Sequence, residues 1–163
     1  MEHTNKAYLL IGGNVGDRLF YLEQAVTLLQ KNCGKVVTSS SIYETAPWGN
    51  TQQASFLNQA LALHSGFSAF ELMYHLLHIE EEMGRIRQEK NGPRIIDIDI
   101  LLFNQEIHTA NDLTIPHKEL QNRRFVLAPL AEIAPSVTHP VLNKTIQQLL
   151  IECPDLLPVK KYK

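Results

Sequence analysis

Apolar runs along this chain follow the order strand–helix–strand, then strand–helix–strand. That split βαβ order predicts an α+β, ferredoxin-like sandwich with a mainly antiparallel sheet. Two helical stretches carry the prediction, with apolar residues at three- and four-residue spacing, each flanked by short β-prone runs. Beyond the second unit the sequence turns helical twice more, so C-terminal helices are expected as additions to the sandwich. The 163 residues suit a single domain spanning 1–163, long enough to bury a sizeable core.

Lys6 to Ile11 is a short apolar run and the first expected strand. Gly12-Gly13-Asn14-Val15-Gly16-Asp17 follows, a glycine-rich turn into a helix that Asp17 is suited to cap. Its glycines match neither G-x-G-x-x-G nor a G-K-[ST] loop, so on spacing alone it reads as a strand-to-helix turn needing unusual backbone angles. The helix, roughly Leu19 to Asn32, carries Leu22, Val26 and Leu29, and Gly34 ends it. Val36 to Tyr43, β-branched and hydroxyl-rich, reads as the second strand. Glu44 to Asn50 is a loop holding the lone Trp48, a residue that in such a setting covers the core or walls a pocket. Phe56 to His64 is the third strand, with Asn58 among apolar neighbours; a buried Asn needs partners, from the main chain or from a ligand.

Ser68-Ala69-Phe70-Glu71 is a capping-box signature opening a helix to about Met83, with Leu72, Leu76, Ile79 and Met83 as its apolar stripe and Glu80, Glu81 and Glu82 crowding its end. The segment Gly84 to Arg94 is charged, bracketed by glycines and without apolar periodicity, which predicts a mobile loop. Asn104-Gln105 turns the chain, Leu113 to His117 is extended, and Asn122-Arg123-Arg124-Phe125 begins a helix that ends near Ile133 before Pro135. From that helix start Arg123 and Phe125 are placed to reach a site. A last amphipathic helix covers about Thr145 to Glu152.

The chemistry concentrates in the expected strand Gly92 to Phe103. Asp97 and Asp99 are two positions apart, so strand alternation places both on one face, about 7 Å apart. Ile96, Ile98, Ile100 and Leu102 are then expected on the other face, while Ile95, Leu101 and Phe103 share the aspartate side. Two neighbouring carboxylates on a partly apolar face repel and are costly to bury, and a divalent cation resolves both problems. Magnesium suits oxygen ligands and takes one or two carboxylates plus water and substrate phosphates. The cations Arg85, Arg87, Lys90 and Arg94 lead directly into this strand, and arginine forks suit phosphate oxygens. The pattern points to a metal beside a phosphate grip.

Composition bounds the function. The net charge of −2 argues against a general nucleic-acid binder, whose affinity rests on a basic surface. Cys33 and Cys153 lie far apart without metal-ligand spacing, and no signal peptide or membrane-length apolar run is present, so reduced thiols, a cytoplasmic location and no membrane partner are expected.

Gly92-Pro93-Arg94 with Asp97-Ile98-Asp99-Ile100, then Ile115-Pro116-His117 and Asn122-Arg123-Arg124-Phe125, resemble the 6-hydroxymethyl-7,8-dihydropterin pyrophosphokinase family of folate biosynthesis. The resemblance runs from the Gly12-to-Asp17 turn to about Pro140, and without an aldolase or synthase domain it is to the single-function form. It implies transfer of pyrophosphate from ATP, as co-substrate, to the pterin hydroxymethyl group with release of AMP. By the same resemblance Asp97 and Asp99 hold two magnesium ions, and Arg85 and Arg94 join them in catalysis. Arg85, Arg87, Arg94, His117 and Arg123 contact the nucleotide or its phosphates, with Ile100 and Thr114 near the adenosine. Phe56 and Phe125 sandwich the pterin ring, while Asn58, the Thr45 side chain and main-chain groups of Ala46 and Trp48 bond its edge. A monomer is expected. The chain departs from the family pattern at Ala46, Lys90 and Asn91. The rival readings are a non-catalytic ferredoxin-like module that binds a small metabolite, and a two-metal nucleotidyl transferase.

Overall fold

The computed structural model describes residues 4–46, 54–84 and 94–162. Along the chain come strand β1 (Asn5–Gly13), helix α1 (Arg18–Asn32), strands β2 (Lys35–Ser39), β3 (Tyr43–Thr45) and β4 (Phe56–Ser65), and helix α2 (Ala69–Glu82). Strands β5 (Asp97–Phe103), β6 (His108–Ala110) and β7 (Leu113–Ile115), helices α3 (Arg124–Ile133) and α4 (Ile146–Glu152), and strand β8 (Val159–Lys161) follow. The fold is α+β. A six-stranded sheet runs β5-β1-β4-β3-β8 with β2 also on β4, every pairing antiparallel, and β6 and β7 form a separate hairpin.

Strand alternation sorts the core into two layers. Leu9, Ile11, Leu57, Leu61 and Leu63 meet Leu22 and Leu29 of α1 and Leu72, Leu76 and Ile79 of α2. Tyr8, Leu10, Ala62 and Leu101 meet Val126, Leu127 and Leu130 of α3 and Ile146 and Leu149 of α4 on the opposite face. Each fully buried leucine or isoleucine contributes about 1.5–3 kcal/mol relative to exposure, which fixes both helical layers on the sheet.

The helices start where side chains satisfy their first amides. Asp17 accepts the Phe20 N–H at 3.1 Å, and in α2 Ser68 and Glu71 each accept the other's backbone N–H, at 3.2 and 2.8 Å. Losing such a cap costs about 1 kcal/mol. Helix α4 carries a second capping box, Thr145 with Gln148, a signal present in the sequence at the same spacing.

Two expectations are corrected. The strand expected over Val36 to Tyr43 is two strands, because Ser40 interrupts it: its Oγ accepts the Ala60 N–H at 2.9 Å, taking over one position of the backbone ladder. In β5 the register slips, since Leu9 faces Ile100 while Tyr8 faces Leu102. Leu101 is the extra residue of this bulge, and every side chain after it changes face. Leu102 therefore joins the α3 side with Leu101, and Phe103 joins the isoleucines, the reverse of simple alternation; Ile95 also packs on the isoleucine side. Strand β7 lies within the extended stretch expected over Leu113 to His117, while its partner β6 and strand β8 are additional to the elements read from the sequence. Among the described residues no helix is long and apolar enough to cross a membrane.

Candidate active site

Three strands lay out the site in register. Gly12 faces Asn58 on β4 and Asp97 on β5, and Leu10 faces Ala60 and Asp99. Directly paired residues share a face, so Asn58, Asp97 and Asp99 stand together above a floor of Leu10 and Gly12. The row continues through Tyr43 opposite Asn58, and Thr45 opposite Phe56. Gly12 is glycine because a Cβ there would collide with the Asn58 side chain, which lies across it.

A cavity of about 130 Å³ occupies this face, lined by Leu10, Gly12, Thr45, Ala46, Phe56, Asn58, Arg94, Asp97, Asp99, Arg123 and Phe125. A larger one of about 590 Å³ wraps the free edge of β5, lined by α2 residues including Leu76 and Glu80, by Asp97 to Ile100, and by Asp112, Thr114, His117 and Lys118. Its volume is that of a drug-sized ligand site. Asp97 and Asp99 line both cavities. Among the expected site residues, Arg94, Thr45, Ala46, Phe56, Asn58, Arg123 and Phe125 thus converge on the smaller space, and Ile100, Thr114 and His117 on the larger. Arg85, Arg87 and Trp48, together with the segment expected to be a mobile loop, lie outside the described residues apart from Gly84 and Arg94.

The glycine-rich turn does more than start a helix. The Arg94 N–H donates to Asn14 Oδ1 and its carbonyl accepts the Asn14 N–H, both at 2.8 Å, while Asn14 Nδ2 donates to the Ala54 carbonyl at 2.9 Å. A Cβ on Gly13 would strike the Ile95 carbonyl, so the close approach depends on glycine. Arg94 is held there, and its Nη1 sits 3.4 Å from Asp97 Oδ1.

Glu80 is buried and accepts the Ile98 N–H at 2.7 Å, the amide lying between the two aspartates on the free edge of the sheet. Reading it as part of a charge crowd with Glu81 and Glu82 missed this; its place four residues after Leu76, on the apolar stripe of α2, was the available signal.

His117 is pushed below its ordinary value of 6.5, by burial first and then by the neighbouring Arg123. Its Nδ1 accepts the Glu119 N–H at 3.2 Å, which assigns the ring proton of the neutral form to Nε2. Asn58 Nδ2 is buried and has no hydrogen-bond partner among the described residues, and the side chain lines the smaller cavity. An unmade buried donor costs about 1–3 kcal/mol, so this amide is poised for an acceptor from outside the chain. Arg123 carries its guanidinium 5.8 Å from the centre of the Phe125 ring, a cation–π contact at the mouth of the same space. No group of three or more His, Cys, Asp or Glu suited to a metal occurs among the described residues.

The sequence matches the family model of 7,8-dihydro-6-hydroxymethylpterin-pyrophosphokinase (HPPK) over residues 8–135. It is 48% identical over 135 residues to the 2-amino-4-hydroxy-6-hydroxymethyldihydropteridine pyrophosphokinase of Bacillus subtilis, covering 82% of this chain and 81% of that protein. The enzyme of the same description from Methylorubrum extorquens is 40% identical, with 89% of this chain and 91% of that one covered. The folic acid synthesis protein fol1 of Schizosaccharomyces pombe is 39% identical over 91% of this chain, which spans 20% of that longer protein. Among solved structures, the HPPK-DHPS of Plasmodium falciparum superposes with a TM-score of 0.77 at 20% identity, over 93% of this chain and 45% of that one, a likeness of fold. The chain belongs to the 7,8-dihydro-6-hydroxymethylpterin-pyrophosphokinase family.

Proposed function

We propose that this protein transfers the pyrophosphoryl group of ATP to the hydroxymethyl group of 6-hydroxymethyl-7,8-dihydropterin, forming the pterin diphosphate and AMP in folate biosynthesis. The observation that carries the reading is the pair Asp97 and Asp99, shared by a small cavity with aromatic walls and a large one with room for a nucleotide. In this reading the pterin enters the small cavity between Phe56 and Phe125, and the Asn58 amide donates to an acceptor on its edge beside Thr45 and Ala46. The nucleotide occupies the large one, with its adenosine near Ile100 and Thr114 and its phosphates toward the aspartates.

The reaction joins the pterin hydroxyl oxygen to the middle phosphorus of ATP and breaks the bond from that phosphorus to the oxygen that leaves on AMP; the hydroxyl proton goes to solvent. Such transfers depend on alignment and charge neutralisation more than on a protein nucleophile. In this reading Arg94, Arg123 and the Nε2–H of His117 supply donors along the phosphates, and by the family resemblance Arg85 and Arg87 would share that role, with Trp48 at the pterin edge. A pair of carboxylates fits magnesium, which fills its other positions with water and phosphate oxygens. Asp97 and Asp99 would hold two such ions, which when bound neutralise phosphate charge and polarise the hydroxyl.

The central order β5-β1-β4-β2, antiparallel throughout, supports a ferredoxin-like core with α3 and α4 added on its second face. Cys33 and Cys153 are both free and buried, in keeping with a reducing, cytoplasmic setting. We take the protein as a monomer with one pyrophosphokinase domain over 1–163. Incubation with ATP, magnesium and reduced hydroxymethylpterin, followed by mass analysis of the pterin, tests the function. A pterin diphosphate formed only when magnesium and ATP are both present is expected. Binding of either ligand without turnover would instead favour a non-catalytic metabolite-binding module.

A further inference from the structure

We infer that Arg18 is a positioning residue for the pterin cavity, tying together the end of β3 and the start of β4 that deliver Thr45, Ala46 and Phe56 to its wall; the inference rests on the pterin reading of that cavity. Arg18 is the first residue of α1 and lines neither cavity. Its Nη1 donates to Glu44 Oε2 at 3.0 Å, to the Ser55 carbonyl at 2.9 Å and to Ser55 Oγ at 3.1 Å. Ser55 Oγ in turn donates to Glu44 Oε2 at 2.7 Å, closing the cluster. Glu44 immediately precedes Thr45, and Ser55 immediately precedes Phe56.

The location gives the cluster its meaning. Thr45 and Phe56 form the last rung of a ladder only three pairs long, where fraying is easiest. One guanidinium bonded to both ends holds that rung closed. Its placement runs against local preference, because a cation in the first turn of a helix opposes the helix dipole. The guanidinium is braced from its other side by the Tyr162 ring, 5.6 Å from Cζ, and the Tyr162 N–H donates to the Ile42 carbonyl at 2.8 Å as β8 runs beside β3. Ser55 first and Arg18 second hold the Glu44 carboxyl below the usual carboxylate range, so it stays ionised at neutral pH. With 23% of the Arg18 side chain and 36% of the Glu44 side chain exposed, the pair adds little to global stability. Its effect is to order the wall before the heterocycle arrives, and pre-organisation of this kind appears in affinity for the ligand that uses the wall.

The test is steady-state kinetics of Arg18→Ala and Arg18→Lys with each substrate varied in turn, beside thermal melts. For Arg18→Ala we expect KM for the pterin to rise roughly tenfold. We expect kcat and KM for ATP to stay within about twofold and Tm within about 3 °C. Arg18→Lys should recover part of the loss, because all three contacts converge on one nitrogen, whose two hydrogens share them, and an ammonium offers three donors. An unchanged pterin KM overturns the inference. So does a parallel loss for both substrates with a fallen Tm, or a lysine variant no better than alanine. Wild-type protein without pterin-dependent turnover overturns the underlying reading too, and that outcome is seen before any variant is made.

Discussion

Asn58→Leu exchanges a buried amide for an apolar side chain of the same branching, and its surroundings set the sign of two separate effects. Asn58 is 5% exposed, and its Nδ2 has no hydrogen-bond partner among the described residues. Leaving that donor unmade costs the ligand-free protein about 1–3 kcal/mol. Leucine removes the penalty, and because the side chain borders a cavity the added methyl bulk has somewhere to go. A gain of about 1–2 kcal/mol corresponds to a Tm rise of roughly 2–8 °C for a domain of this size. Pterin binding moves the other way. Losing one or two hydrogen bonds to the ring edge and leaving that edge desolvated removes about 1–3 kcal/mol, or roughly 5- to 150-fold in affinity. Differential scanning calorimetry gives the first number. Titration calorimetry of the pterin with a non-hydrolysable ATP analogue present gives the second. A variant that melts lower and binds the pterin within twofold of wild type would refute the reasoning.

Other perturbations probe the remaining parts. Asp97→Ala and Asp99→Ala should each depress turnover by at least roughly a hundredfold with the melt nearly unchanged, since each removes charge compensation from the transferring phosphates; activity within severalfold of wild type counts against the pair. Phe56→Ala and Phe125→Ala should weaken the pterin severalfold or more while sparing ATP, as stacking is worth about 0.5–1.5 kcal/mol beyond area burial; calorimetry that shows equal losses for both ligands would instead indicate a folding defect. His117 and His139 are both lowered from 6.5, chiefly by burial, and the Nδ1 of each accepts backbone N–H groups. The unfolded chain therefore binds more protons than the folded one below pH 6.5, so their contribution is whole above that pH and is lost as pH falls through their lowered values. Urea titrations should show declining stability from about pH 6.5 downward, with His139→Gln flattening the decline; a protein that gains stability on acidification would contradict the assignment.

Much of this was legible because the signals were local. The cap at Asp17, the box at Ser68 and Glu71, and the alternation that puts Asp97 and Asp99 on one face each need only a few neighbouring residues. What escaped depended on partners distant in sequence. Ser40 breaks a strand because it bonds Ala60, twenty residues on, and Leu101 bulges because of its register against β1. Strand β8 exists because β3 offers it an edge, and three residues carry too little pattern to announce it. The same holds within the site. The aspartates were visible as a pair, but Asn14 as an anchor for Arg94 and Ala54, and Glu80 on the Ile98 amide, appear only once β1, α2 and β5 are side by side.

The proposed reaction puts the attack on the middle phosphorus of ATP. The residues bear on it through extent: the carboxylate pair sits where the two cavities meet, with Arg94 and Arg123 lining one and His117 the other, a spread suited to a whole triphosphate and not to its outer end alone. Chromatography of the nucleotide products from a pterin-dependent reaction decides the matter. AMP, equimolar with the pterin diphosphate, is the predicted product. ADP with a pterin monophosphate would contradict the account, even if every residue named here proved essential.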